Sequence, residues 1–375
     1  MINFWSYKRE YKKNKISILN RIARSIESGQ IFFGQELKKF EKDFLKKYKS
    51  KYGVAVGSGT DALLISLMAI GIKPGDQVIT AANTAIPTIS AIINAGATPR
   101  FVDIDENYLI DPSKIENAIT QKTKAIIPVH LYGQVCDMSR IIKISKKYKI
   151  KIIEDCAQSQ GAKYKNKFAG TIGKLGCFSF YPTKILGAYG DGGFITTSDY
   201  NLYKKIKRIR FYGIETLDNK NKFKNKYYAN ENGMNSRLDE IQASILNFKL
   251  KKVDNFITRR RNIAKIYLKE LKNTSLKIPF EKNYSRHVYH LFTVYHSKGF
   301  EIIKKLKNHG IKTRVIYPYP IHKMKAYSQY FDNKKKLTNS EIKSKGIFCL
   351  PLYPELKDKE IKKICTKLKL ILKKI

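Results

Sequence analysis

The sequence predicts an α/β fold built on a mostly parallel, buried sheet, followed by a smaller α+β domain. Three observations carry this. Between about Gly53 and Phe194, short β-branched or apolar runs alternate with amphipathic stretches, the pattern of strands joined by crossover helices. Each run ends in small or polar residues, which gathers the turns at the carboxyl ends of the strands. After Phe194 the alternation gives way to longer helical patterns and scattered strands. With roughly 100–200 residues per domain, the 375 residues suit a large domain over residues 1–250 and a small one over 251–375.

Taken in order, KYGVAVGSGT is a strand that ends in a glycine turn, and ALLISLMAIG is the helix after it. DQVITAAN, TPRFVDID, KAIIPVHL, IKIIEDCA and CFSFYPT are the following strands, with helical stretches between several of them. Residues 219–228 are lysine-rich and read as an exposed loop. An NSRLDE turn then opens one long helical pattern over residues 235–273, marked by Leu238, Ile241, Ile245 and Phe248. Beyond Pro279, HLFTVYH, FEIIKKLKNHG and NSEIKSKGIFCLP mix short strands and helices. There is no internal repeat and no low-complexity linker.

Composition excludes several classes. No apolar run approaches the roughly 18–20 uncharged residues that cross a bilayer, and the charged start MINFWSYKREYKKNK lacks the apolar stretch of a signal peptide. Five solitary cysteines suit neither a disulfide framework nor a metal site. Cys156, between Asp155 and Ala157, reads as a buried strand-end residue rather than a nucleophile. A soluble, reduced, cytoplasmic protein without a metal is expected. The net charge of +42 is a mark of nucleic-acid binders, but the lysines are spread along the chain. KKICTKLKLILKK alternates charge with apolar residues as a solvated amphipathic helix does. The charge instead favours anionic small ligands.

Three segments carry candidate chemistry. In SFYPTKILGAYGDGG, Lys184 lies in an apolar turn before a run of glycines. Withdrawal from water lowers the pKa of an ammonium toward neutrality, as a nucleophilic Schiff-base lysine requires. In IIEDCAQSQGA, Asp155 ends a strand. A carboxylate there either keeps a pyridinium nitrogen protonated or caps the next helix, and Gln158 follows three residues later. In GSGTDALL, glycines precede a helix whose first turn carries Thr60, a start suited to phosphate. It is neither a Walker motif nor a Rossmann fingerprint. Ser179, five residues before Lys184, is a second phosphate donor.

Together with TAANTAIPT, FVDID, IIPVHLYGQ and NSRLDEIQASIL, these motifs resemble in order those of the DegT/StrS-type sugar aminotransferases, a branch of the fold type I pyridoxal 5'-phosphate (PLP) enzymes. The likeness runs from about Ser28 to the end of the chain. It implies a large domain on a seven-stranded sheet flanked by helices, and a small C-terminal domain. It implies PLP held on Lys184, Asp155 at the ring nitrogen, Gln158 beside the ring, and Gly59, Thr60 and Ser179 at the phosphate. Asn235 matches the asparagine that reaches the phosphate of a neighbouring subunit, so a homodimer with shared sites is implied. Glutamate is the implied amino donor, and a keto sugar on a nucleoside diphosphate the acceptor. Arg237, Tyr317 and His322 are candidates for the sugar-nucleotide cleft and equally for structural roles. Phe32 and Phe33 are divided in the same way between the cleft mouth and the core, while His130 reads as a packed strand-end residue.

The sequence departs from many relatives in one place: Ala85 follows Thr84 where they carry an aromatic that stacks on the cofactor. The Asn83-Thr84 pair leans toward C3 over C4 amination of a dTDP-linked 6-deoxy sugar. A sugar dehydratase of the same fold would carry histidine in place of Lys184. A non-catalytic regulatory or nucleic-acid-binding relative is the reading of a different class.

Overall fold

The computed structural model describes residues 1–215, 227–332 and 336–375; the lysine-rich stretch read as a loop lies mostly outside them. Strands β1 (Tyr52–Val56), β2 (Gln77–Ala81), β3 (Thr98–Val102), β4 (Thr123–Ile127), β5 (Lys151–Asp155), β6 (Leu175–Ser179) and β7 (Gly193–Thr197) form one sheet, in the order β1-β7-β6-β5-β4-β2-β3. From β3 through β2, β4 and β5 to β6 every pairing is parallel. Only β7 runs against both its neighbours. β6 and β7 are buried at every position, which explains why their sequences are continuous apolar or small runs rather than alternating ones.

Helices cover both faces: α1 (Tyr7–Glu27), α2 (Gln35–Tyr48), α3 (Gly59–Ala69), α4 (Ile86–Asn94), α5 (Met138–Tyr148), α6 (Tyr200–Ile209) and α7 (Glu240–Leu250). α3 is apolar nearly all round and packs on β6 and β7 in the middle of the domain. α2 lays Phe40 and Phe44 against the other side of this sheet edge, with edge-on ring contacts of 5.3 Å to Phe180 and 5.2 Å to Phe178. Such close aromatic packing fixes where β6 ends, and the chemistry starts at that end.

The single helical pattern expected over residues 235–273 is two helices. α7 stops at Leu250, and α8 (Val253–Leu271) starts after a short turn. The reason lies in the apolar stripes, which serve different cores. Ala243 and Leu246 of α7, with Val253 and Ile257 at the start of α8, face the large domain, whereas Ile263, Ala264, Tyr267 and Leu271 further along α8 enter a second cluster. That cluster also takes in β8 (Phe292–Tyr295), α9 (Gly299–Asn308), β9 (Ile347–Leu350) and, after the short α10 (Thr338–Ser344), α11 (Asp358–Leu372). β8 and β9 pair antiparallel.

The start of the chain joins this second cluster. Ile2 is buried in it, and its backbone brackets the segment after α9: Ile2 N donates to Gly310 O at 2.8 Å, and Lys312 N donates to Ile2 O at 3.0 Å. The chain at Ile2 therefore runs parallel to residues 310–312. No described helix is long and apolar enough to cross a membrane.

Candidate active site

Asp155 is the last residue of β5 and is 4% exposed. The Ala157 amide donates to its Oδ1 at 3.1 Å, and the hydroxyl of Thr88, in the first turn of α4, donates to its Oδ2 at 2.9 Å. Burial pushes this carboxyl above its ordinary range, and those two donors, Lys184 and His130 pull it back. A carboxylate held this way gains from a cationic partner. Lys184 sits in the turn after β6, half-buried, with its backbone amide donating to Tyr181 O at 2.9 Å. Burial lowers its ammonium to about 8, against the opposing pull of Asp155.

The amino end of α3 lies beside the end of β6. Ser58 caps the helix by accepting from the Asp61 amide at 3.0 Å, so the amides of Gly59 and Thr60 are the first-turn donors with no place in the helix ladder. Gly59 is required here. A Cβ on it would stand 2.6 Å from the Ser179 Cβ, and only its absence lets the Ser179 hydroxyl share the space in front of those amides. Gly193 serves the same approach, because a Cβ there would meet Ser58 O at 2.2 Å.

Gln158 is buried with both ends held: its Oε1 accepts from the Tyr132 amide at 2.8 Å, and its Nε2 donates to the Tyr317 hydroxyl at 3.2 Å. Behind it, Glu154 accepts from the amides of Gly170, Ile172 and Gly173 at 2.6–2.9 Å and from His130 Nε2 at 2.9 Å. His130 Nδ1 accepts from the Cys136 amide at 3.2 Å, so the ring is held at both nitrogens as a brace. A cavity of about 920 Å³ opens beside the lysine turn, with Tyr181, Thr183, His290 and Tyr317 in its wall.

The other sequence candidates are not in the wall of that cavity. His322 is fully buried, 3.0 Å from Glu341 and packed 4.6 Å from the Phe331 ring; it does not line the cavity. Arg237 stacks 4.2 Å from the exposed Phe32 ring, while Phe33 packs under Arg210 at 5.2 Å. Asn235 is exposed on the same segment as Arg237. Asn83 is buried at the end of β2, with no partner for its Nδ2 among the described residues. Sequence reasoning missed Thr88 and Tyr132. Thr88 had a signal, a hydroxyl in the helix turn facing the acid's strand, but Tyr132 acts through its backbone and has none.

The model of the DegT/DnrJ/EryC1/StrS aminotransferase family matches residues 12–369. The chain belongs to this family. It is 42% identical over 355 residues to a dTDP-3-amino-3,6-dideoxy-alpha-D-galactopyranose transaminase of Aneurinibacillus thermoaerophilus, 94% of each chain being covered. It is 38% identical to a UDP-2-acetamido-2-deoxy-3-oxo-D-glucuronate aminotransferase of Pseudomonas aeruginosa, over 98% of this chain and 99% of the other. The crystal structure of S. venezuelae DesV in complex with a ketimine intermediate superposes with a TM-score of 0.95 at 33% identity, covering 100% of this chain and 99% of that one. This DegT-family chain is thus a PLP-dependent sugar aminotransferase. Its residues fit the cofactor, with a buried acid calling for a cation, a lysine poised near neutrality, and a glycine-cleared helix start facing a serine hydroxyl.

Proposed function

We propose that this aminotransferase moves an amino group from glutamate to C3 of a dTDP-linked keto-6-deoxyhexose, as a homodimer. The observation that carries the sugar assignment is that the A. thermoaerophilus and P. aeruginosa relatives are both named for nitrogen or oxygen at position 3. The first supports dTDP and a 6-deoxy sugar. The second favours a UDP-linked sugar as the other reading.

In this reading the Gly59 and Thr60 amides and the Ser179 hydroxyl hold the cofactor's phosphate. Asn235, exposed on its segment, reaches toward the neighbouring subunit's phosphate. PLP supplies an electron sink that lets a C–H bond beside nitrogen break. With its ammonium near 8, Lys184 is about one-tenth free amine at pH 7, and it takes and returns the proton at the substrate carbon. Asp155, aimed by Thr88 and Ala157, holds the proton on the ring nitrogen. Gln158, clamped between Tyr132 and Tyr317, lies beside the ring. Such products feed the building of surface polysaccharides or glycosylated small molecules in the cytoplasm.

The test is a set of reactions with ¹⁵N-glutamate and four acceptors: dTDP-linked 3-keto and 4-keto 6-deoxyhexoses, and UDP-linked 3-oxo and 4-oxo sugars. The expected result is ¹⁵N at C3 of the dTDP sugar, read by NMR. Label at C4 overturns the position, and label only in the UDP series overturns the base.

A further inference from the structure

We infer that Lys312 and Arg314 form the subsite for the substrate's diphosphate within the same subunit, with the first residues of the chain as its second wall. This rests on the nucleotide-sugar reading above. The cavity that opens at the lysine turn carries three cations in its wall, Lys307, Lys312 and Arg314, and no carboxylate. Lys312 and Arg314 are exposed, and among the described residues neither is part of an ion pair. In a concave surface such uncompensated positive charge raises the local concentration of anions.

The backbone explains the arrangement. Residues 311–314 are extended, pinned on one side by Ile2 and on the other by Cys349, whose amide donates to Arg314 O at 2.7 Å. In an extended segment residues two apart point to one face, about 6.6 Å from each other. Lys312 and Arg314 therefore stand as a pair on one face, near enough for two long, flexible side chains to converge on a single diphosphate. Thr313 between them has a buried hydroxyl with no partner among the described residues, and so does the indole N–H of Trp5; both residues line the same cavity. The volume, about 920 Å³, exceeds what glutamate needs and lies in the range of sites for larger ligands. Nothing in the amino-acid pattern singles out this pair, since two cations among 73 Lys and Arg look like any others.

The experiment is calorimetric titration of the PLP-loaded enzyme with dTDP, UDP and thymidine. The doubly substituted Lys312→Met, Arg314→Gln enzyme is expected to bind the diphosphate at least ~30-fold more weakly, the loss of two charge-assisted contacts, with thymidine affinity unchanged. Each single substitution, at an exposed position, gives about 5- to 10-fold and guards against misfolding of the double variant. A Lys359→Met, Lys363→Met enzyme removes the same charge from α11 and stays within about twofold if contact, not bulk charge, is responsible. Equal loss in that control, or unchanged dTDP binding in the double variant, overturns the subsite alone. A wild-type enzyme that binds neither diphosphate overturns the nucleotide reading and the subsite together. A double variant that binds dTDP normally but no longer changes its visible spectrum with glutamate moves the cations to the amino donor and overturns the assignment.

Discussion

Thr88 shows how much of this site depends on groups that never meet the substrate. Its hydroxyl fixes one oxygen of Asp155 at 2.9 Å in a buried setting, where a hydrogen bond to a charge contributes about 1.5–3 kcal/mol. Thr88→Val keeps the shape and removes the donor. It is expected to lower turnover roughly 10- to 100-fold and to weaken PLP retention, while Thr88→Ser keeps most of both. An unchanged rate in the valine variant would mean that the Ala157 amide alone aims the acid. His287 provides a pH-dependent counterpart away from the chemistry. Burial, and secondarily Arg261, lower its pKa from 6.5 to about 3. The unfolded chain therefore binds a proton below about pH 6.5 that the folded chain refuses. Stability from this residue is complete above that pH and is lost as the pH falls toward 3, by at most about 1.4 kcal/mol per unit. Urea denaturation at pH 7, 6, 5 and 4 should show a shallower decline for His287→Gln than for wild type. A parallel decline would show that the carboxylates dominate acid unfolding.

Among the elements, α3 is the one whose position decides the site. Its start must approach the end of β6 closely enough for the Gly59 amide and the Ser179 hydroxyl to face one space. Gly59→Ala places a methyl group 2.6 Å from the Ser179 Cβ, so helix and strand must separate, at a cost of about 1–3 kcal/mol. The expected outcome is a smaller rise in melting temperature on adding PLP than in wild type; an equal rise would place the phosphate elsewhere. Elements of this kind were legible in the sequence, because strand ends marked by Gly, Asp and Ser are local patterns. Asp155, Gln158, Ser179 and Lys184 are gathered at those ends for the same reason. The break between α7 and α8 was not legible, since both helices carry apolar residues at helical spacing and only the three-dimensional partners differ. The surroundings of His322 were not legible either: the ring packs on Phe331 and is bonded to Glu341, contacts that the PYPIHK segment does not spell out.

On the scale of the whole molecule, a net charge of +42 sets up self-repulsion that the compact state must bear. Salt screens it over about 8–10 Å near physiological strength. The melting temperature is therefore expected to rise by several degrees between about 0.02 M and about 0.3 M NaCl, which differential scanning fluorimetry can follow. A flat response would mean that local ion pairs such as Arg9–Glu360 and Lys249–Glu10, both at 2.6–2.7 Å, already neutralise the field that matters. The strap made by Ile2 has a further consequence, in the timing of synthesis. Its partners at Gly310 and Lys312, like the partner of Arg9 at Glu360, 351 residues away in the chain, leave the ribosome long after it does. At about 5–20 residues per second, the opening segment waits roughly 20–70 s for them. During that wait the sheet can assemble without it, so the outer wall of the cleft is the part of the enzyme that a newborn chain completes at the end.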